Sequence, residues 1–447
     1  MFRRVVQRAG AVVTTQNAAW TSHKEQIRGL SDRLVAAQGP IRILDALKWD
    51  DDAERDVVAS RFKRLPVADA AYYRQKRPLP FDPGDKTAEF AAIQADIATI
   101  LGGDDPLGRI LLRNCAEYYQ EVVAMLQARG TPEFYRISRR LYGSAKDTFQ
   151  DDRTTIRDLG HHLYDILTGI DEALLGPVAP RDLTAEAVVT QLNERFGAYF
   201  ADRQIRAKLD DGILSDAAAG ADYVKIRRGV AFSRRDLDIL EIHEGWVHVG
   251  TTLNGASQRI ATWLSKGTPC TTATQEGLAV ILEVISFRMT PSRARKLNNR
   301  VLACDKAEDG AGFLDICEFY RTEGYSEAEC FHYAQRLFRG GVLEGGAPFT
   351  KDLSYCMGFV KVYNFLRTAI RFGRPEVIPF LFAGKLAIED APVLWRAHKS
   401  HVVDPPRYLP PQFADLNGLA MWMAYSNFLN RLDLARIQEH FRAMLSG

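Results

Sequence analysis

The chain has 447 residues, which at ~150 residues per domain suits two or three lobes or one large catalytic unit. Its 46% apolar and 26% charged residues exclude a disordered or fibrous chain, and 58 basic against 56 acidic side chains exclude a surface devoted to nucleic acid. Six cysteines without a C-x-x-C pair exclude a zinc ribbon and predict a reduced, cytoplasmic setting, and no stretch approaches the ~20 apolar residues of a membrane span.

Residues 1–42 carry Arg3, Arg4 and Arg8 ahead of the first acid, Glu25, and lack the apolar run of a signal peptide, which predicts a flexible basic arm. From 43 to 202 apolar residues recur at three- and four-residue spacing between breakers, as from Phe90 to Leu101 before Gly102-Gly103, and a helical N-terminal lobe is expected. Residues 203–447 are expected to form the catalytic lobe. There Ile205, Ala207 and Leu209 alternate with polar residues, Asp210-Asp211-Gly212 signals a turn, and Tyr223 to Phe232 reads as a further strand, together a small antiparallel sheet. Ser233 with Asp236 is a capping-box pattern that opens a helix through Leu237, Leu240 and Val247. Thr272 with Gln275 is a second such pattern, for a helix ending before Pro291. Helices near 328–338, 353–372 and 416–444 complete a predominantly helical α+β reading.

The chemistry concentrates in His243-Glu244-Gly245-Trp246-Val247-His248. Two imidazoles suit Zn²⁺, and a carboxylate beside the first is placed to take a proton from a water held by the metal. The spacing is one residue longer than H-E-x-x-H, and residues i and i+5 of a regular α-helix lie ~140° apart, so both rings reach one ion only if the helix is deformed. A π-bulge absorbs one residue, and Gly245 supplies the backbone freedom for it. Glu276, in the next predicted helix, completes a His₂Glu set, and Glu283 on the same face is either a competing ligand or a carboxylate bonded to a histidine ring.

The stretch Gln275-Glu276-Gly277-Leu278-Ala279 resembles the motif of the QEGLA-motif proteins, described as modulators of flavohemoglobin expression, a family that includes the microtubule-associated tyrosine carboxypeptidases. Arg129 to Phe134, Leu141 to Ser144 and Arg339-Gly340-Gly341 through Asp352 are similar to that family as well. The resemblance implies a zincin-like zinc peptidase with ligands His243, His248 and Glu276, Glu244 as general base, and a peptide or protein C-terminal tail as substrate, one that ends in an aromatic residue included. Neither nucleic acid nor membrane is an expected partner.

Around this centre, Arg227, Arg228, Arg234 and Arg235 suit an acidic tail or, more commonly for such residues, a solvated charged face, and the strand from Tyr223 is either an edge that pairs with substrate or an interior strand. Arg339 and Lys351 flank a glycine-rich loop and are read as a clamp on a terminal carboxylate or as structural ion pairs, with Tyr355 one turn on as a donor to substrate oxygen. The rival function is a regulatory binding protein with a structural or vestigial metal site. Glu244 weighs against it, because a structural zinc site needs no base.

Overall fold

The computed structural model describes the backbone of residues 2–50, 52–202, 205–213 and 215–445, with side chains from residue 20 onward except Ala443. The chain is predominantly helical, with one three-stranded sheet. The helices that frame the site are α1 (Phe2–Gln38), α2 (Ala185–Tyr199), α3 (Arg234–Leu240), α4 (Gly250–Ala256), α5 (Pro269–Ile285), α6 (Pro291–Glu308), α7 (Glu327–Phe338) and α8 (Ser354–Arg371). Between α3 and α4 runs a π-helix, Glu241–Val249.

The flexible arm expected over residues 1–42 is replaced by α1. Ile27, Leu30, Leu34 and Ala37 recur at three- and four-residue intervals and are buried in the largest core, so burial of this apolar stripe holds the helix against the body. The side chains of Arg3, Arg4 and Arg8 lie outside the described residues. That same core takes in Ile242, Leu278, Leu282, Val362 and Leu366, and so unites residues from both sides of the boundary expected at 202/203.

The sheet also departs from expectation, being mixed rather than antiparallel. Strand β3 (Tyr223–Arg227) lies between β1 (Arg206–Asp210) and β2 (Ala217–Ala219), parallel to β1 in the register Arg206↔Tyr223 and antiparallel to β2 in the register Ala217↔Ile226. Period-two alternation is the same in either direction, so it could not reveal that β3 inserts between its two predecessors. Strand β3 is therefore interior, and it ends at Arg227 because the chain turns at Gly229, whose φ is 76°. On the buried face, Val224 and Ile226 meet Val188, Leu192 and Phe196 of α2, and Leu237 and Leu253 join them from either side of the π-helix. The sheet and α2 thus form the floor on which the histidine-bearing segment rests.

Helix α3 begins as its sequence predicts, with Ser233 and Asp236 closing a capping box. Helix α5 begins earlier than predicted: Thr268 is its N-cap and Pro269 its first residue, a position where proline's missing N–H costs nothing. Gln275 is consequently an interior residue free to serve the site. Among the described residues, no helix is long and apolar enough to cross a membrane.

Candidate metal centre

The five-residue interval between His243 and His248 is accommodated by nine residues of π-helix, and the N–H of Gly250 donates to the carbonyl of Gly245, five residues back. With the turn widened in this way the two imidazoles come together, their ring centroids 4.9 Å apart. Gly245 is required for a second reason: a Cβ there would lie 2.5 Å from Cε1 of Phe196 on α2. The widened turn leaves carbonyls in need of donors, and side chains supply them. Thr251 Oγ1 donates to Val247 O at 2.6 Å and Thr252 Oγ1 to His248 O at 2.7 Å.

Helix α5 brings Glu276 to the histidines. Its Oε2 stands 3.4 Å from Nε2 of His243 and 3.6 Å from Nε2 of His248, and the three ligand atoms all lie within 4.8 Å of one another. Donors bound at about 2.1 Å around a tetrahedral ion lie about 3.4 Å apart. The same Oε2 is buried without a hydrogen-bond partner, which in an interior is costly unless a cation satisfies it. The donor set and the orphaned oxygen therefore fit a zinc ion.

Glu283, two turns further along α5 and fully buried, accepts a hydrogen bond from Nδ1 of His243 at 2.7 Å. Of its two sequence readings, this is the bond to the histidine ring: it commits Nδ1 as donor and leaves Nε2 for a metal. Arg293 grips Glu283 with two donors, Nη2 to Oε1 at 2.6 Å and Nε to Oε2. Burial raises the Glu283 carboxyl, but the Arg293 guanidinium and then His243 outweigh it and bring its pKa down to about 2. Burial likewise works against a charge on His243, yet the carboxylates of Glu276 and Glu283 at its two nitrogens lift its pKa well above the usual range. Glu276 is held well below its own, since Lys351 and the two histidines overcome the effect of burial. Carboxylates at both nitrogens favour a positive charge on the His243 ring, and a metal ion at Nε2 can supply it in place of the proton.

Glu244, half-buried, lines a cleft of about 340 Å³ together with His243 and Tyr355. Arg227, Lys296, Arg300, His332 and Arg336 also line it. Tyr355 stacks on His243 at 6.3 Å between ring centroids. Lys351 does not line the cleft; its Nζ donates to Oε1 of Glu276 at 3.5 Å. Arg339 is only 6% exposed and lies outside the cleft lining, with its guanidinium 5.7 Å from the ring of Phe349. Burial and then the like charge of Arg336 bring its pKa down to about 10. The glycine-rich loop that follows Arg339 packs on Phe134 and Gly310, so its close approaches are to protein backbone and side chains.

Two groups that serve the site were not singled out from sequence. Lys385 Nζ donates to the carbonyl of His248 at 3.0 Å and to Oε1 of Gln275 at 2.7 Å, tying the π-helix to α5. Gln275 Oε1 also lies 2.8 Å from Thr251 Oγ1. Burial brings the Lys385 ammonium down to about 7, against the opposing pull of Glu276 and Glu244. Nothing local in its sequence marks Lys385. Arg293, Lys296 and Arg300 did leave a signal, a cationic stripe at three- and four-residue spacing on α6.

The protein family described as microtubule-associated tyrosine carboxypeptidase matches residues 55–431, a span that includes every residue of this site. Among curated proteins, none matches.

Proposed function

Because the chain belongs to the microtubule-associated tyrosine carboxypeptidase family, we propose that it is a zinc-dependent, zincin-like carboxypeptidase of the cytoplasm that removes a single C-terminal residue, preferably aromatic, from a peptide or protein tail. His243, His248 and Glu276 would hold the ion. Zinc bound there would polarise the scissile carbonyl and acidify the attacking water.

The remaining work falls to the chain itself. Glu244 takes a proton from the attacking water and returns it to the departing amine, a role that suits a carboxylate one residue from His243 and open to the cleft. Glu283 fixes the tautomer of His243 through Nδ1, and Arg293 keeps Glu283 ionised to do so. Lys351 balances the second oxygen of Glu276. Tyr355, stacked on His243, offers the substrate a hydroxyl donor. Lys385 keeps the two ligand-bearing helices in register.

The observation that carries this reading is the meeting of three ligand atoms, one of them a buried carboxylate oxygen with no hydrogen-bond partner among the described residues. The test is metal analysis of the purified protein, followed by mass spectrometry of a peptide ending in tyrosine. One zinc per chain and loss of one terminal residue are expected. Glu244→Gln should retain the zinc and lower turnover by ~10²–10⁴-fold. Absence of bound metal, or cleavage only at internal bonds, would reject the proposal.

A further inference from the structure

A carboxypeptidase has to hold the free α-carboxylate of its substrate with a cation that is not already committed to the protein. Three cations of the cleft are committed, Arg181 to Asp236 among them. Arg293 is bound twice to Glu283, and Arg336 donates to both oxygens of Asp352 at 2.9 Å. Arg300 differs. Its nearest carboxylate is Asp352 at 4.0 Å, whose oxygens already serve Arg336, and its Nη1 is buried without a hydrogen-bond partner. Lys296, one turn before it on the same face of α6, pairs with Asp216 at 3.6 Å and lies 5.2 Å from the ring centre of Tyr333. Burial holds the Lys296 ammonium below the usual lysine range against the pull of Asp216, with the like charges of Arg300 and Arg293 adding to it and Glu329 opposing. The acids beside this wall are engaged by its other cations, so Arg300 Nη1 is the donor on it that an anion from outside would satisfy.

Position agrees with charge. The Arg300 guanidinium lies 4.5 Å from the ring centre of Tyr355, and that ring stacks on His243 at 6.3 Å. Cation and ligand set are thus separated by a single aromatic ring. Arg300, Tyr355, His243 and Glu244 line one cleft, and one peptide residue spans at most ~3.6 Å, so a carboxylate one residue beyond the scissile carbonyl has to be met within that cleft. We propose that Arg300, with Lys296 beside it, binds the α-carboxylate of the residue to be removed, an assignment that rests on the carboxypeptidase reading above. It moves this role from Arg339 and Lys351, neither of which lines the cleft.

The experiment compares kcat/KM for one tail peptide with a free and with an amidated C-terminus, in the unmodified protein, Arg300→Gln and Lys296→Gln. Because the free-to-amide ratio is taken within each protein, a reduced folded fraction cancels. The unmodified protein should prefer the free acid by about 10- to 100-fold, the range expected for hydrogen bonds to a charged group. Arg300→Gln should bring the ratio to within a few-fold of one by slowing cleavage of the free acid alone. Lys296→Gln, at a residue partly open to solvent, should lower it by a smaller factor and decides the matter if Arg300→Gln does not fold. If the unmodified protein discriminates and the folded variants keep its full ratio, the carboxylate is held elsewhere and this assignment falls while the carboxypeptidase reading stands. If the unmodified protein does not discriminate, both fall.

Discussion

Gly277 and Gly358 touch backbone to backbone. A Cβ on Gly277 would stand 2.2 Å from the carbonyl oxygen of Gly358, and a Cβ on Gly358 would stand 2.0 Å from the carbonyl oxygen of Ala273. This close crossing of α5 and α8 explains why a glycine follows Glu276: it lets the start of α8, with Tyr355, approach the ligand helix. Gly277→Ala should lower stability by about 1–3 kcal/mol or more, because the obstacle is backbone and cannot turn aside. It should also weaken metal binding. Thermal denaturation with and without added zinc checks both; an unchanged midpoint would mean that the crossing has slack.

Glu283→Gln tests the support of His243. The amide cannot balance Arg293, and its hold on Nδ1 is weaker, so zinc affinity should fall by about 10- to 100-fold. Competition with a chelator of known affinity measures it. Equal affinity in both proteins would show that the ring is oriented by packing alone.

Lys385→Met removes the donor shared by His248 O and Gln275 Oε1. Loss of a partner for buried acceptors costs about 1–3 kcal/mol each, offset here because a buried ammonium is also removed. Net destabilisation of about 1–3 kcal/mol is expected in urea unfolding. A variant more stable than the parent would show that burial of the lysine outweighs both bonds.

Arg339→Ala should act on folding and not on substrate choice. Its side chain is buried outside the cleft lining, so the preference for free over amidated peptide termini should persist in the folded fraction while the unfolding midpoint falls. Loss of that preference would return Arg339 to the substrate site.

The candidate triad was legible because its members declare themselves locally: two histidines flanking Glu244 within six residues, and Glu276 in the apolar helix predicted next. Even the π-helix could be anticipated, since an i, i+5 pair cannot meet on a regular helix. The partners of these residues were less legible. Arg293 reaches Glu283 only because the chain turns back between α5 and α6, a tertiary fact, and a cationic stripe such as Arg293, Lys296 and Arg300 is ordinarily a solvated face. The glycine-rich loop misled for a related reason. Close backbone approach was real, but a sequence does not say whether the neighbour is a substrate or the protein itself. In α1 the apolar stripe from Ile27 to Ala37 was present, yet the basic residues ahead of it drew the whole segment into an arm.

The π-helix has a consequence for how such a site tolerates change. An inserted residue ordinarily turns everything beyond it by ~100° and carries a helix's buried stripe out to solvent. Here the widened coil takes up the difference within Glu241–Val249, and Val249 and Leu253 still face the core. The count of residues between the histidines is thereby uncoupled from the alignment of the rest of the segment. The interval in the primary structure is thus a matter of local winding, whereas the meeting of the imidazoles is what the surrounding packing preserves.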